Sequence, residues 1–132
     1  MAAKNNYMII SEAILRDPMI EDLILQGGYA AFGYYIAILS IMRDYKDFDY
    51  KLPIKRLDII AGSRLMLYDA KDRETFAEHV GLMLAIGLLK KNEDCIWSDR
   101  RRLDLIKQDE SRAKMSEAGV KGMAARYGNR DI

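Results

Sequence analysis

Side chains that could bind phosphate groups occur in three places in this sequence. The densest is the triplet Arg100-Arg101-Arg102, and the pair Lys90-Lys91 precedes it. A third group lies earlier and mixes two basic side chains with a hydroxyl and an imidazole. Ammonium and guanidinium groups contact phosphate oxygens, and arginine can also read guanine. The candidate nucleic-acid contacts are Lys71, Arg73, Thr75, His79, Lys90, Lys91, Arg100, Arg101 and Arg102.

The basic residues are concentrated towards the end of the chain. The whole chain has 21 Lys and Arg against 20 Asp and Glu. From Arg100 onward nine bases and five acids give +4, so the remaining twelve bases and fifteen acids give −3. A basic end on a mildly acidic body indicates that any nucleic-acid contact is local.

The triplet and the third group each admit a second interpretation. Arg100 to Arg102 could equally be a solvated helix start with surface ion pairs. In the third group Glu74 and Glu78 lie on the same predicted helix, and carboxylates repel phosphate. We therefore expect backbone contacts from the triplet and the Lys90-Lys91 hairpin more than from the helix.

Catalysis and metal binding have little support. His79 is the only histidine and has no nearby nucleophile, so a partly exposed helix residue is the favoured interpretation. The single cysteine, Cys95, excludes an internal disulfide and alternates with apolar neighbours, as a small buried residue does. Asp44, Asp47 and Asp49 lack the pattern of a calcium loop. We expect no enzyme activity, cofactor, metal or small-molecule substrate.

The stretch from Phe76 to Ser98 must position most of these candidates. Phe76, Val80, Met83 and Leu84 share one helical face, so a helix is predicted from Asp72, its N-cap, to Gly87. Glycine accepts the left-handed turn that ends a helix. Leu88-Leu89-Lys90 and Cys95-Ile96-Trp97 then form two strands around a polar turn. A helix followed by a small hairpin is the second half of a winged helix-turn-helix.

Earlier segments supply the helices that pack around this unit. Asp17-Pro18 predicts a helix start, and Gly27-Gly28 predicts its end. Residues 30–45 are apolar nearly all round, as a central buried helix is. The tyrosines of this helix either pack in the core or offer a stacking platform for bases. The acidic residues 44–49 predict a loop.

The next segments complete the predicted fold. Tyr50-Lys51-Leu52 is a candidate strand, and Pro53 opens a helix that ends at Gly62. Ser98 or Asp99 caps a last helix, which docks through Leu103 and Ile106. The fold class is mainly α with a small β-hairpin (α+β): a winged helix-turn-helix with extra N- and C-terminal helices.

The chain divides into one domain and a tail. Residues 1–115 form the winged-helix domain, with an N-terminal arm over 1–16 in which Tyr7 to Ile10 could be a strand. Residues 116–132 form a basic, glycine-containing tail or linker that we expect to be mobile. No signal peptide and no apolar run near ~18 residues is recognised, so a cytoplasmic location without membrane contact is expected.

Several motifs together resemble a known family. They are Asp17-Pro18-Met19-Ile20, the segment Gly28-Tyr29-Ala30-Ala31-Phe32-Gly33-Tyr34-Tyr35-Ile36-Ala37-Ile38-Leu39, Tyr50-Lys51-Leu52-Pro53, Gly87-Leu88-Leu89, Ser98 and the Gly/Lys/Arg segment 119–126. In order and spacing they resemble the N-terminal domain of phage replisome organisers and related replication initiators. The resemblance implies a winged-helix domain that binds DNA at a replication origin, in prophages or mobile elements, attached to a C-terminal module that recruits the replication machinery.

Two functions follow as alternatives. The first is a duplex DNA-binding domain of a replication initiator, which contacts DNA through helix 72–87, the hairpin and the basic C-terminal segment. The second is a winged helix used for protein contact, either self-association or docking to a replication protein. The acidic helix face and the acidic body favour the second.

Overall fold

The computed structural model describes residues 10–128, with side chains up to Met115. It is mostly helical with a small antiparallel sheet, which confirms the predicted α+β class. The longer elements are helices α1 (Pro18–Ile41), α2 (Leu57–Ser63), α3 (Ala70–Ile86) and α4 (Asp99–Gly128), and strands β1 (Leu52–Pro53), β2 (Lys90–Lys91) and β3 (Cys95–Trp97). The predicted strand Tyr7 to Ile10 lies almost wholly outside the described residues.

Helix α1 begins where the sequence predicts and breaks where the glycines stand. The Asp17 carboxylate accepts a hydrogen bond from the Met19 backbone N–H at 2.9 Å, as an N-cap does. Gly28 has φ 75° and ψ −177°, a conformation that side chains disfavour. The predicted end at Gly27-Gly28 is therefore a break, after which the helix resumes at once.

The segment after α1 differs from the prediction. Residues Met42–Phe48 form 3₁₀ turns instead of the loop expected over 44–49. Asp49 and Tyr50 follow with φ of 58° and 59°, which few non-glycine residues adopt. Two consecutive left-handed residues turn the chain sharply into β1.

One helical stretch, Pro18–Phe48, is long and apolar enough to cross a membrane by length and composition alone. It contains no charged residue from Leu23 to Met42, so the prediction that no apolar run approaches that length is wrong. Gly28 interrupts the stretch, and its residues Ala31, Tyr35 and Ile38 are buried in the core. The absence of membrane contact stays a prediction.

Helix α3 packs against α1 through the predicted face. Phe76, Val80 and Met83 are buried, and the Tyr34 ring meets Phe76 edge-on at 5.2 Å. Gly87 ends the helix with φ 99°, as predicted. The prediction of Asp72 as N-cap is wrong, because Asp69 accepts the Lys71 N–H at 3.2 Å and the helix begins at Ala70.

The sheet has the strand order β1-β3-β2, with β3 in the centre. Leu52 in β1 and Lys91 in β2 are both paired with Ile96 in β3. Leu52 and Ile96 are fully buried and turn one face of the sheet to the core. The predicted hairpin is confirmed.

The third strand is Leu52–Pro53, where the sequence predicted Tyr50 to Leu52. Pro53 pairs with Cys95, so the prediction that Pro53 opens a helix is wrong, and α2 begins at Leu57.

One hydrophobic core connects these elements. Its members come from α1, β1, α2, α3, the hairpin and α4. The fully buried large side chains include Ile20, Leu23, Ile38, Met42, Leu52, Met83, Leu89, Ile96 and Leu105. Because one core serves every element, the sheet and the helix pair α2–α3 are held on a common base.

Helix α4 docks differently from the prediction. Leu105 is fully buried, whereas Leu103 is 53% exposed, so the predicted contact through Leu103 is wrong. The buried positions Ser98, Arg101 and Leu105 recur every three or four residues and define the docked face. The backbone of α4 continues to Gly128. The mobility predicted for residues 116–132 stays a prediction, and residues 129–132 lie outside the described part.

Polar contacts attach the middle of α4 to the turn that follows α1. Arg43 lies 3.9 Å and Lys46 3.7 Å from the two carboxylate oxygens of Asp109. Arg43 also donates to Gln108. These contacts fix α4 beside the 3₁₀ turns, and with it the side chains at its start.

Candidate nucleic-acid interface

The outer face of the sheet carries two lysines beside a tryptophan. The Lys51 ammonium lies 4.2 Å from the centroid of the Trp97 ring, a cation–π contact. Lys90 is the cross-strand partner of Trp97, so its side chain leaves the sheet on the same face. Lys51 precedes β1, Trp97 lies in β3 and Lys90 in β2. Three strands thus place two positive charges around one aromatic ring.

Arg100 extends this surface at the start of α4. Its side chain is 77% exposed and lies 3.3 Å from the Asp17 carboxylate. Arg100 and Lys90 also line one small cavity of about 150 Å³, next to Ser98. An ion pair this exposed contributes little, so Arg100 can exchange Asp17 for a phosphate at small cost. We call Lys51, Lys90, Trp97 and Arg100 the basic sheet face.

Trp97 is held at this face by its indole nitrogen. The indole N–H donates to the Asp99 carboxylate at 2.8 Å. This bond fixes the ring plane over which Lys51 lies. A fixed aromatic ring between positive charges is the arrangement that stacks on exposed bases or lies along a sugar-phosphate backbone.

Arg101 is a structural residue of this fold. It is only 6% exposed, and its Nε donates to the Leu39 backbone carbonyl of α1 at 3.0 Å. Burial lowers the pKa of the Arg101 guanidinium, and repulsion from Arg43 lowers it further. Its charge therefore joins α4 to α1 and faces inward, away from any phosphate outside the domain.

Arg102 connects α4 to the left-handed turn before β1. Its guanidinium donates to the Asp49 carbonyl at 3.1 Å and to the Asp49 carboxylate at 2.5 Å. These two bonds restrain the unusual backbone of Asp49 and Tyr50, and Lys51 is the next residue. Arg102 thus fixes the backbone from which Lys51 reaches Trp97.

The hairpin tip mixes both signs of charge. Lys91 is exposed in β2, and the exposed carboxylates of Glu93 and Asp94 follow it. The Asn92 side-chain oxygen accepts the backbone N–H groups of Asp94 and Cys95 at 2.9 and 2.7 Å, which closes the turn. The acids at the tip offset Lys91, so the positive surface lies nearer Lys90.

Most of the predicted contacts on α3 are engaged within the protein. One Arg73 nitrogen donates to the carbonyls of both Leu67 and Tyr68 at 3.0 Å. The Thr75 hydroxyl donates to the Lys71 carbonyl at 3.1 Å. Lys71 itself is exposed. Of this group only Lys71 presents a charged head that no described hydrogen bond or ion pair holds.

His79 packs towards α1. Its ring lies 5.7 Å from the Tyr34 ring, and its Nδ1 atom is buried without a hydrogen-bond partner among the described residues. Tyr34 also contacts Phe76, so the ring belongs to the α1–α3 interface. This position is that of a packing residue.

The structure thus separates the nine candidates. Lys90 and Arg100 lie together at the basic sheet face, whereas Lys91, the partner of Ile96, leaves the sheet on the opposite face. Sequence reasoning missed Lys51 and Trp97. The alternation of Cys95-Ile96-Trp97 could have placed Trp97 opposite the buried Ile96, but no local signal pairs β1 with β3.

Comparisons with known proteins gave no match of this chain to a family model, a curated protein or a solved structure. Within residues 10–115, whose side chains the structure describes, no group of three or more His, Cys, Asp or Glu side chains could hold a metal ion. The function is therefore argued from the fold and from the basic sheet face.

Proposed function

We propose that this chain is a winged-helix domain that binds duplex DNA. The order α1-β1-α2-α3-β2-β3, with a hairpin directly after α3, supports the winged-helix assignment. The sheet order β1-β3-β2 also supports it, because the early strand joins the hairpin as the third member of the sheet. In such domains a helix and the hairpin approach the DNA together.

The basic sheet face is the observation that carries the proposal. Lys51 lies over the Trp97 ring, Lys90 is the cross-strand partner of Trp97, and Arg100 lines a cavity with Lys90. Asp99 is bonded to the Trp97 indole and Asp17 is paired with Arg100, so a phosphate would replace Asp17 at Arg100. Phosphate contacts supply most non-specific affinity for DNA.

The contact runs mainly through the hairpin and the start of α4. Helix α3 contributes Lys71 at its first turn, since the exposed carboxylates of Glu74 and Glu78 disfavour a deeper approach to phosphates.

The biological role follows from the resemblance of the sequence motifs to replication initiators. We propose that the domain belongs to a phage-type or mobile-element replisome organiser and binds DNA at an origin in the cytoplasm. Partner proteins of the replication machinery would then be recruited to the bound DNA.

The proposal is tested by fluorescence anisotropy with a short random duplex, titrated at low and near-physiological salt. Binding should weaken steeply as salt rises, because each neutralised phosphate contributes about 0.9 to the slope of log affinity on log salt. The triple variant Lys51→Ala/Lys90→Ala/Arg100→Ala should lose affinity by about 100-fold, at ~1 kcal/mol for each charge-assisted contact. No binding at low salt would remove the proposal.

The control is Lys107→Ala at an exposed position of α4, which is matched in charge to Arg100→Ala alone and should bind as the unchanged protein does. Lys71→Ala separates two orientations of the domain. A larger loss for Lys71→Ala than for the triple variant would assign the contact to α3 instead of the sheet.

A second function, protein contact, is favoured by the exposed acids of α3. It predicts oligomers in light scattering and no DNA binding at moderate salt. Oligomers that dissociate while DNA binding persists would leave DNA binding as the main function.

A further inference from the structure

An open groove separates α2 from α3. It has a volume of about 560 Å³ and is lined by Asp58, Ile59, Ala70, Arg73, Glu74 and Ala77. The apolar part of its wall is Ile59 of α2 and two alanines one above the other on α3. Ile59 is 65% exposed, although the adjacent Ile60 is buried. The groove therefore offers apolar surface that the described residues do not cover.

The connection between the two helices also exposes apolar side chains. Met66 is 67% and Tyr68 73% exposed, in the segment between α2 and α3. Arg73 holds this segment through the Leu67 and Tyr68 carbonyls. The groove itself takes its apolar wall from Ile59, Ala70 and Ala77.

The border of the groove is negatively charged on both sides. Asp58 stands on the α2 side and Glu74 on the α3 side, and Glu78 follows one turn later on α3. The positive charge of Arg73 is directed to backbone carbonyls. A groove with an apolar wall and acidic borders repels phosphates and attracts basic groups.

We propose that this acidic groove is the docking site for a basic amphipathic helix of a partner protein. An apolar stripe on that helix would lie against Ile59, Ala70 and Ala77, and lysines or arginines beside the stripe would face Asp58 and Glu74. Helices bind grooves in this way through residues spaced three and four apart. The inference goes beyond DNA binding and does not rest on it.

The test uses the full 132-residue chain and a synthetic helical peptide of leucine and lysine, about 18 residues long to match the 17 residues of α3. A leucine–glutamate peptide of the same pattern serves as the reversed-charge probe. Backbone amide shifts in two-dimensional NMR should change for Ile59, Ala70, Glu74 and Ala77 with the lysine peptide alone. Shifts confined to any other surface would overturn the proposal.

Reversing the charges at the borders of the groove tests whether Asp58 and Glu74 attract the basic peptide. Asp58→Lys/Glu74→Lys should weaken binding of the lysine peptide by about tenfold and strengthen binding of the glutamate peptide. The matched control, Asp47→Lys/Glu110→Lys, makes the same change in net charge at two exposed positions elsewhere. Equal loss in both double variants would mean general charge attraction and would refute a defined site.

Ile59→Ser addresses the apolar wall without disturbing the core. The exposed side chain makes normal folding expected, which circular dichroism checks, and peptide affinity should fall by about tenfold. Unchanged affinity with intact folding contradicts the assigned wall.

Two other occupants are distinguished in the same series. Sedimentation that shows a dimer lost on Asp58→Lys/Glu74→Lys would assign the groove to a second copy of this chain and overturn a partner protein. A loss of DNA affinity in Ile59→Ser, measured without peptide because the lysine peptide itself binds DNA, would assign the groove to DNA and overturn the proposal. Unchanged DNA affinity in that variant supports the proposal. DNA anisotropy on the same variants shows independently whether the basic sheet face binds DNA.

Discussion

The basic sheet face and the acidic groove are built in different ways on one core. The sheet face combines Lys51 with Lys90, Trp97 and Arg100, and the pairing of β1 with β3 joins Leu52 to Ile96 across 44 positions of sequence. The groove lies between two helices that follow one another, from Asp58 to Ala77. The first surface depends on long-range pairing and the second on local helix packing. The two proposals therefore assign DNA and a partner protein to surfaces of opposite charge.

The largest expected effect is on stability, when one isoleucine of the sheet and one of the acidic groove are each changed to alanine. Ile96→Ala removes a side chain that is 2% exposed, between β1 and β2, and should lower the free energy of unfolding by about 2–4 kcal/mol. Ile59→Ala in the groove, 65% exposed, should change it by less than about 0.5 kcal/mol. Urea denaturation measures both. Similar losses would show that the groove is part of the core.

The next effect examines how the sheet face is positioned. Arg102→Ala removes two bonds to Asp49 and should lower stability by about 1–2 kcal/mol and DNA affinity several-fold. If Arg102 acts by positioning Lys51, its substitution should add little in a Lys51→Ala background. Full additivity in this double-mutant cycle is the result that would assign Arg102 a direct DNA contact.

A smaller effect is expected at Arg73. Its guanidinium binds two carbonyls, so Arg73→Ala should cost about 1 kcal/mol of stability and leave DNA affinity unchanged. If Arg73 reads a guanine instead, as an arginine at this candidate site could, Arg73→Ala relaxes base preference at one position. Thermal denaturation and anisotropy together decide between these roles. A change in base preference without loss of stability would contradict the structural role.

The smallest effect concerns the charge of α3. Glu74→Gln/Glu78→Gln removes two exposed carboxylates and should raise DNA affinity about two- to threefold at low salt, with little effect at high salt. The same variant should bind the lysine peptide more weakly. If DNA affinity rises while peptide affinity falls, the basic sheet face and the acidic groove are separate binding surfaces. Parallel changes in the two affinities would indicate one shared surface.

The fold was predictable where local patterns were strong. Asp17-Pro18 placed the start of α1, Gly87 the end of α3, and the apolar spacing of α3 its buried face. Errors occurred where two local signals competed. Asp69 and Asp72 are both suitable caps, and the structure uses Asp69. Leu103 and Leu105 are both apolar, and the docking angle of α4 selected Leu105.

The candidate site was predictable only in part. Charge density pointed to Arg100, Arg101 and Arg102 as a group, yet the helix turns each to a different environment: solvent, the Leu39 carbonyl and Asp49. Successive helical residues point about 100° apart, so three neighbours cannot share a role unless the whole segment is exposed. Lys51 was missed because its partner, Trp97, is distant in sequence.

The sequence by itself determined the class of fold, the main turns and caps, and the supply of positive charge at the hairpin and the start of α4. Local backbone preferences and apolar periodicity act within a few residues, so a single chain segment reveals them. Only the tertiary structure decided which cations stay at the surface, because burial of Arg101 and the placement of Lys51 on Trp97 depend on elements far apart in the chain. Strand pairing over a long sequence separation and the docking of α4 therefore determine which cations are exposed.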